Sequence, residues 1–144
     1  MKTVSQLLEN KGREVYSVTP GTSVYEALSL MADKNIGALV VLEGDDLAGI
    51  FSERDYARKV ILKGKSSKET PVSEIMTRKV ICVSPDSSVE QCMALMTGQR
   101  IRHLPVVADK RLTGVISIGD VVKAIISDQQ FMMEQLQNYI IGLR

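Results

Sequence analysis

Two heptapeptides hold the residues best placed for chemistry: Gly49-Ile50-Phe51-Ser52-Glu53-Arg54-Asp55 and Gly114-Val115-Ile116-Ser117-Ile118-Gly119-Asp120. Both read Gly-x-x-Ser-x-x-Asp. A carboxylate at this spacing can accept hydrogen bonds from two neighbouring hydroxyls, which suits the cis-diol of a ribose. A Ser hydroxyl at a helix start suits a phosphate oxygen, because unpaired backbone N–H groups and the positive end of the helix dipole meet there. The same residues also fit a capping box, in which the Ser serves a backbone N–H and the acid three positions on reaches back to the cap. Both readings stand at this point. A second constellation, Arg102-His103-Leu104-Pro105, brings positive charge and directional donors to the entry of an apolar run, where the first copy has Gly37-Ala38. Taken alone, His103 reads equally as a satisfied structural side chain.

Catalysis finds little to work with. The chain has one His, so neither an HExxH site nor a multi-His metal cluster can be assembled. Cys82 and Cys92 lie in an apolar strand-like run and on a helical apolar stripe, in no metal-ligand spacing, and read as core thiols. Gly44 to Gly49 and Gly114 to Gly119 begin like a phosphate loop, but Ile50 and Asp120 stand where its Lys must be. No enzyme, no metal and no catalytic residue are therefore expected. With 18 basic against 17 acidic side chains the net charge is +1, and aromatics are few. Neither nucleic acid nor a membrane surface is expected as a partner. The first ten residues lack the apolar core of a signal peptide and no apolar run approaches a membrane span, so the cytoplasm is the expected compartment.

The elements that position these residues come in duplicate. A shift of 65 residues aligns Val15 to Arg58 on Val80 to Lys123 without a gap, matching Pro20 with Pro85, Ser23 with Ser88, Met31 with Met96, Gly49 with Gly114 and Asp55 with Asp120. Each copy reads strand, helix, strand, strand, helix. Val15 to Val18 is a short strand stopped by Pro20. Val24, Ala27, Leu28 and Met31 fall at helical spacing, as do Val89, Cys92, Met93 and Met96. Two apolar runs follow, joined by a hairpin loop at Glu43 to Asp46 in the first copy and Ala108 to Arg111 in the second. A last helix starts at each Ser. Thr3 to Leu8 echoes Thr70 to Met76 at an offset of 68, so each copy has a leader helix, the second with Thr70 as cap and Pro71 at the first helical position. The expected boundaries are 1–62 for the first repeat with its leader, 63–69 for a basic linker, 70–127 for the second repeat and 128–144 for a C-terminal helix. Ile125, Met132, Met133, Leu136, Tyr139, Ile140 and Leu143 give that tail an apolar stripe that needs a cover. One copy is too small to bury a core alone, so the fold expected is α/β (α+β), two βαββα repeats packed about a pseudo-twofold axis.

The duplicated unit, its Gly-x-x-Ser-x-x-Asp endings and Ile101-Arg102-His103-Leu104-Pro105-Val106-Val107 resemble a tandem pair of CBS (cystathionine β-synthase) domains, a Bateman module of the small stand-alone type. The resemblance implies a non-enzymatic regulatory module binding an adenosine compound, AMP foremost, with ADP, ATP, NAD(H) or S-adenosylmethionine as alternatives, in clefts between the repeats. It implies that Asp55 and Asp120 hold riboses, that Ser52 and Ser117 reach the phosphate or ribose, and that Tyr16, Ile81 and Ile101 sandwich adenine. Arg102 and His103 stand where a nucleotide-sensing member carries His-Arg for phosphates, in reversed order. Arg54, with Arg58, offers cations beside Asp55 instead. A homodimer signalling to a regulated protein in trans is implied as well. The rival expectation is a structural dimerisation or interaction module whose Ser and Asp pairs are caps and nothing more.

Overall fold

The periodicities resolve into real elements in the computed structural model, which describes residues 2–142. Chain contacts divide the protein into two units. One is the continuous segment Glu14–Ile81, and the other joins Met1–Arg13 to Cys82–Arg144.

In the continuous unit, β1 (Ser17–Val18) pairs in parallel with β2 (Ala38–Glu43), which pairs antiparallel with β3 (Asp46–Ser52). Between β1 and β2 lies α2 (Val24–Lys34), capped by the Ser23 hydroxyl and closed by Asn35 in the left-handed conformation. α3 (Glu53–Tyr56) passes into a π-helical turn, Ala57–Ile61, and the second leader is a 3-10 turn, Val72–Glu74. Val24, Ala27 and Met31 from α2 meet Leu39, Val41 and Phe51 from the sheet and Val72, Ile75 and Met76 from the leader in one buried cluster. Spacings of three to four on the helix and two on the strands point every one of these inward.

The discontinuous unit contains α1 (Val4–Lys11), α4 (Val89–Gln99), the hairpin β4 (His103–Ala108) and β5 (Arg111–Ser117), and α5 (Ile118–Gly142). Val4, Leu8, Val89, Cys92, Leu104, Val106, Ile116 and Val121 are fully buried. At 1.5 Å per residue, α5 is about 37 Å long, and from Gln129 to Ile141 every residue on it is exposed. Among the described residues, no helix is long and apolar enough to cross a membrane.

The leaders are exchanged: the one that precedes the first repeat belongs to the unit of the second, and the reverse. The two dockings are copies of each other. Val4 N–H donates to Ser87 O (2.8 Å), Ser5 N–H to Pro85 O (2.9 Å) and Val89 N–H to Lys2 O (3.0 Å). The counterparts are Val72 N–H to Thr22 O (2.8 Å), Ser73 N–H to Pro20 O (3.0 Å) and Val24 N–H to Thr70 O (2.9 Å). Each leader thereby satisfies the first orphan N–H of the helix it meets.

This docking explains the repeated glycine. A Cβ on Gly49 would stand 2.8 Å from both Met76 Sδ and the Thr77 carbonyl oxygen, and one on Gly114 would stand 2.8 Å from Leu8 Cδ2. Gly49→Ala should destabilise by about 1–3 kcal/mol, because the backbone of Thr77 cannot step aside. Gly114→Ala should cost less, since only the tip of Leu8 must turn. Thermal melts of the two variants check the order.

Several expectations need correction. The strand foreseen over Val15 to Val18 shrinks to Ser17–Val18, and its counterpart is a single bridge from Val83 to Val106. Cys82 is exposed rather than in the core, because Val83 is the residue of that run that turns inward; Cys92 is buried as expected. Thr70 and Pro71 do not start a helix in the way anticipated: Pro71 precedes a single 3-10 turn and no side chain caps it. The last helix of the second repeat and the C-terminal helix are one uninterrupted α5. Leu143, placed on its apolar stripe, lies outside the described residues.

Candidate functional site

Strand register brings the chemistry-bearing residues to one end of each hairpin. His103 lies directly opposite Ser117 in the β4–β5 ladder, as Ala38 lies opposite Ser52 in β2–β3. The carbonyl just before each inner strand then pins the helix that follows: Ile118 N–H donates to Arg102 O at 2.8 Å, and Glu53 N–H to Gly37 O at 3.1 Å.

Both Ser and Asp pairs form capping boxes. Ser117 N–H donates to Asp120 Oδ2 (2.8 Å) and Asp120 N–H to Ser117 Oγ (3.2 Å). Ser52 N–H and hydroxyl both donate to Asp55 Oδ2 (3.0 and 3.1 Å), with Asp55 N–H returning to Ser52 Oγ (3.2 Å). Capping and ligand binding are compatible, because a carboxylate has about four lone-pair sites and the cap uses one or two.

Each carboxylate also holds a lysine that sequence reasoning missed. Lys11, from α1, reaches Asp120 Oδ2 and the Val115 carbonyl, both at 2.6 Å. Lys59, in the π-turn, reaches Asp55 Oδ1 at 3.0 Å and the Ile75 carbonyl at 3.1 Å. Asp55 and Lys59 stand four apart, a spacing that signals a helical ion pair. No local signal joins Lys11 to Asp120.

Burial pushes the Asp120 carboxyl up, but the Lys11 ammonium and the Ser117 N–H outweigh it, and the acid is held below its usual range. Burial, then the Lys11 charge, then Arg102 push His103 down, against the opposing pull of Asp120. His103 is therefore a neutral donor and acceptor at physiological pH. The unfolded chain protonates this imidazole below about 6.5 while the folded one resists, so stability should fall as pH drops through and below that value. Melting temperatures at pH 7.5 and 5.5 should differ less in His103→Gln than in the parent.

The structure gathers His103, Ser117 and Asp120 around Lys11 in one unit, with exposed Arg102 adjoining His103 in the chain and Ile101 half-buried just before it. In the other unit it joins Ser52 and Asp55 to Lys59, with Arg54 exposed on the same helix turn. Tyr16 packs on that unit's core and carries the Lys34 ammonium 5.2 Å over its ring, while Ile81 is half-buried at the unit's end. Among the described residues, no group of three or more His, Cys, Asp or Glu could hold a metal.

A duplicated unit of this topology with a capped Ser and Asp pair at each hairpin end defines a class, and the model of the CBS domain matches residues 6–62 and 72–127. The chain belongs to the CBS-domain family. Among relatives, the mitochondrial CBS domain-containing protein CBSX3 of Arabidopsis thaliana is 44% identical over 149 residues, covering 97% of this chain and 72% of that protein. A solved structure described as a signal-transduction protein with CBS domains, from Burkholderia ambifaria, is 56% identical with a TM-score of 0.86, covering 89% of this chain and 96% of that one. A hexameric CBS-CP12 protein from bloom-forming cyanobacteria is 31% identical with a TM-score of 0.73, covering 83% and 70%. The family is regulatory, its stand-alone members are not catalytic, and its domains commonly bind adenosine ligands.

Proposed function

We infer that this protein is a non-enzymatic adenosine-nucleotide sensor, with AMP as its foremost ligand and ADP, ATP, NAD(H) and S-adenosylmethionine as alternatives. The observation that carries the reading is the Asp120 carboxylate, a quarter of whose side chain is exposed. Its Oδ1 takes no hydrogen bond from the described residues, and Ser117 and Lys11 stand beside it. In this reading Asp120 holds a ribose, Ser117 and the Arg102–His103 pair serve the phosphate end, and Ile101 flanks adenine. Asp55, Ser52, Arg54 and Tyr16 stand at the matching positions of the other unit.

Thermal unfolding of ligand-stripped protein against these compounds tests it. A ligand at 100 times its dissociation constant should stabilise by about 2.7 kcal/mol, a rise of roughly 5 to 11 °C for a chain of this size. A flat response across the panel would refute the sensor. The rival reading as an interaction module draws support from Asp55, whose capping box and ion pair use both its oxygens. It expects that flat response.

Output passes to a regulated protein in trans, and the sensor works as a homodimer in the cytoplasm. Support for the dimer comes from α5. Val122, Ile126, Met133, Leu136 and Ile140 are all exposed, from 39% to 62%. With Gln129 they follow the alternating three- and four-residue spacing of a coiled-coil seam. A seam without charge can lie against the same seam of a second copy across a twofold axis.

A further inference from the structure

Each acidic side chain grips a lysine that also grips a backbone carbonyl, yet the two lysines come from positions the duplication does not relate. Lys59 aligns with Ala124, and Lys11 aligns with Lys79. Around Asp55 both carboxylate oxygens are engaged. Oδ2 takes the Ser52 N–H and hydroxyl, Oδ1 takes Lys59, and the side chain is 11% exposed. Around Asp120 both the Ser117 N–H and Lys11 converge on Oδ2, so Oδ1 takes nothing from the described residues, and the side chain is 25% exposed. Lys11 meanwhile makes two of the three hydrogen bonds its ammonium can donate.

The leaders create this difference. In the continuous unit the second leader ends in a bridge, with Thr77 N–H donating to Ile50 O at 2.9 Å. In the other unit α1 stays helical to Lys11, and Val115 O, the counterpart of Ile50 O, takes the lysine ammonium in place of a backbone N–H. A helical leader therefore delivers a cation to Asp120.

An open acceptor beside an open charged donor complements a hydroxyl, which donates to Oδ1 and accepts from the ammonium. A vicinal diol uses both better still, whereas a phosphate at this spot would meet the carboxylate's own charge. We propose that ligand binding in this chain is confined to the Asp120 unit, where Lys11 reads the ligand's diol together with Asp120, and that Lys59 keeps the Asp55 carboxylate shut. The proposal rests on the adenosine reading above and assigns its stoichiometry and ribose recognition.

Titration calorimetry of the full chain with AMP and 2′-deoxy-AMP tests it. The parent should bind one AMP per chain. Lys59→Met should open a second site, raising the stoichiometry to two, while Lys59→Arg keeps it at one. Lys11→Met should weaken AMP about tenfold or more and narrow its advantage over 2′-deoxy-AMP. Both lysines are substantially exposed, and circular dichroism establishes that each variant is folded. Two equal sites in the parent, one site in Lys59→Met, or unchanged AMP affinity in Lys11→Met overturns the proposal. No heat and no thermal shift with any adenosine compound, in parent and variants alike, overturns the adenosine reading itself.

Discussion

Asp55→Ala is expected to cost the fold about 2–3 kcal/mol and Asp120→Ala about 1 kcal/mol, with the order reversed for ligand affinity. Loss of an N-cap partner alone costs about 1 kcal/mol. At Asp55 the same change also strands the part-buried Ser52 hydroxyl, and leaving a partly buried donor unpaired adds about 1–3 kcal/mol. Asp120 is more open to water, so Lys11 and Ser117 can be solvated once it is gone. For binding, removing the carboxylate that holds a ribose deletes charge-assisted hydrogen bonds worth about 1.5–3 kcal/mol, or roughly 10- to 100-fold in affinity. Urea melts give the first comparison and calorimetry with AMP the second. Equal stability losses, or an Asp120→Ala variant with parental AMP affinity, would sink the assignment.

Cutting the chain after Asp128 is expected to leave both units folded and to abolish the dimer. The last buried residue of α5 is Ala124, and Lys2 reaches Asp128 at 3.6 Å, so the anchored part of the helix ends there. Beyond it Phe131, Met132, Met133, Leu136, Tyr139, Ile140 and Ile141 are each more than half exposed, an apolar surface that an isolated chain would leave in water. Light scattering should give twice the 15.9 kDa chain mass for the parent and a single-chain mass for the truncated protein. Met133→Glu with Leu136→Glu should act as the truncation does, through like charges facing each other on the seam. A single-chain mass for the parent would refute the dimer.

The sequence was most legible where one residue type answers to one local cause. Ser23, Ser52, Ser88 and Ser117 all cap helices, and alternating apolar residues mark the strands of both hairpins. That Val80 to Val83 forms only a single bridge, at Val83, was not legible, because apolar residues at a unit's edge do not reveal how many of them turn inward. Comparing the repeats position by position exposed the duplication but concealed the lysines. Lys11 and Lys59 do equivalent work from unrelated positions, so an alignment of like with like passes over both. The glycine of each motif was visible in the sequence, but its reason lay in Met76 and Leu8, more than twenty residues away along the chain.

The exchanged leaders also set the order in which the protein can be made. Glu14–Ile81 is a continuous stretch that is complete while the ribosome is still extending the chain, whereas α1 is synthesised first and waits for its partners. Lys11 and its carbonyl acceptor are 104 residues apart. At translation rates of about 5–20 residues per second, the apolar face of α1 stays without its native cover for roughly 5 to 20 s. The continuous unit can therefore fold before the residues of the discontinuous one are all made. A fragment meant to fold alone should be cut at 14 and 81 rather than at the boundaries of the repeats.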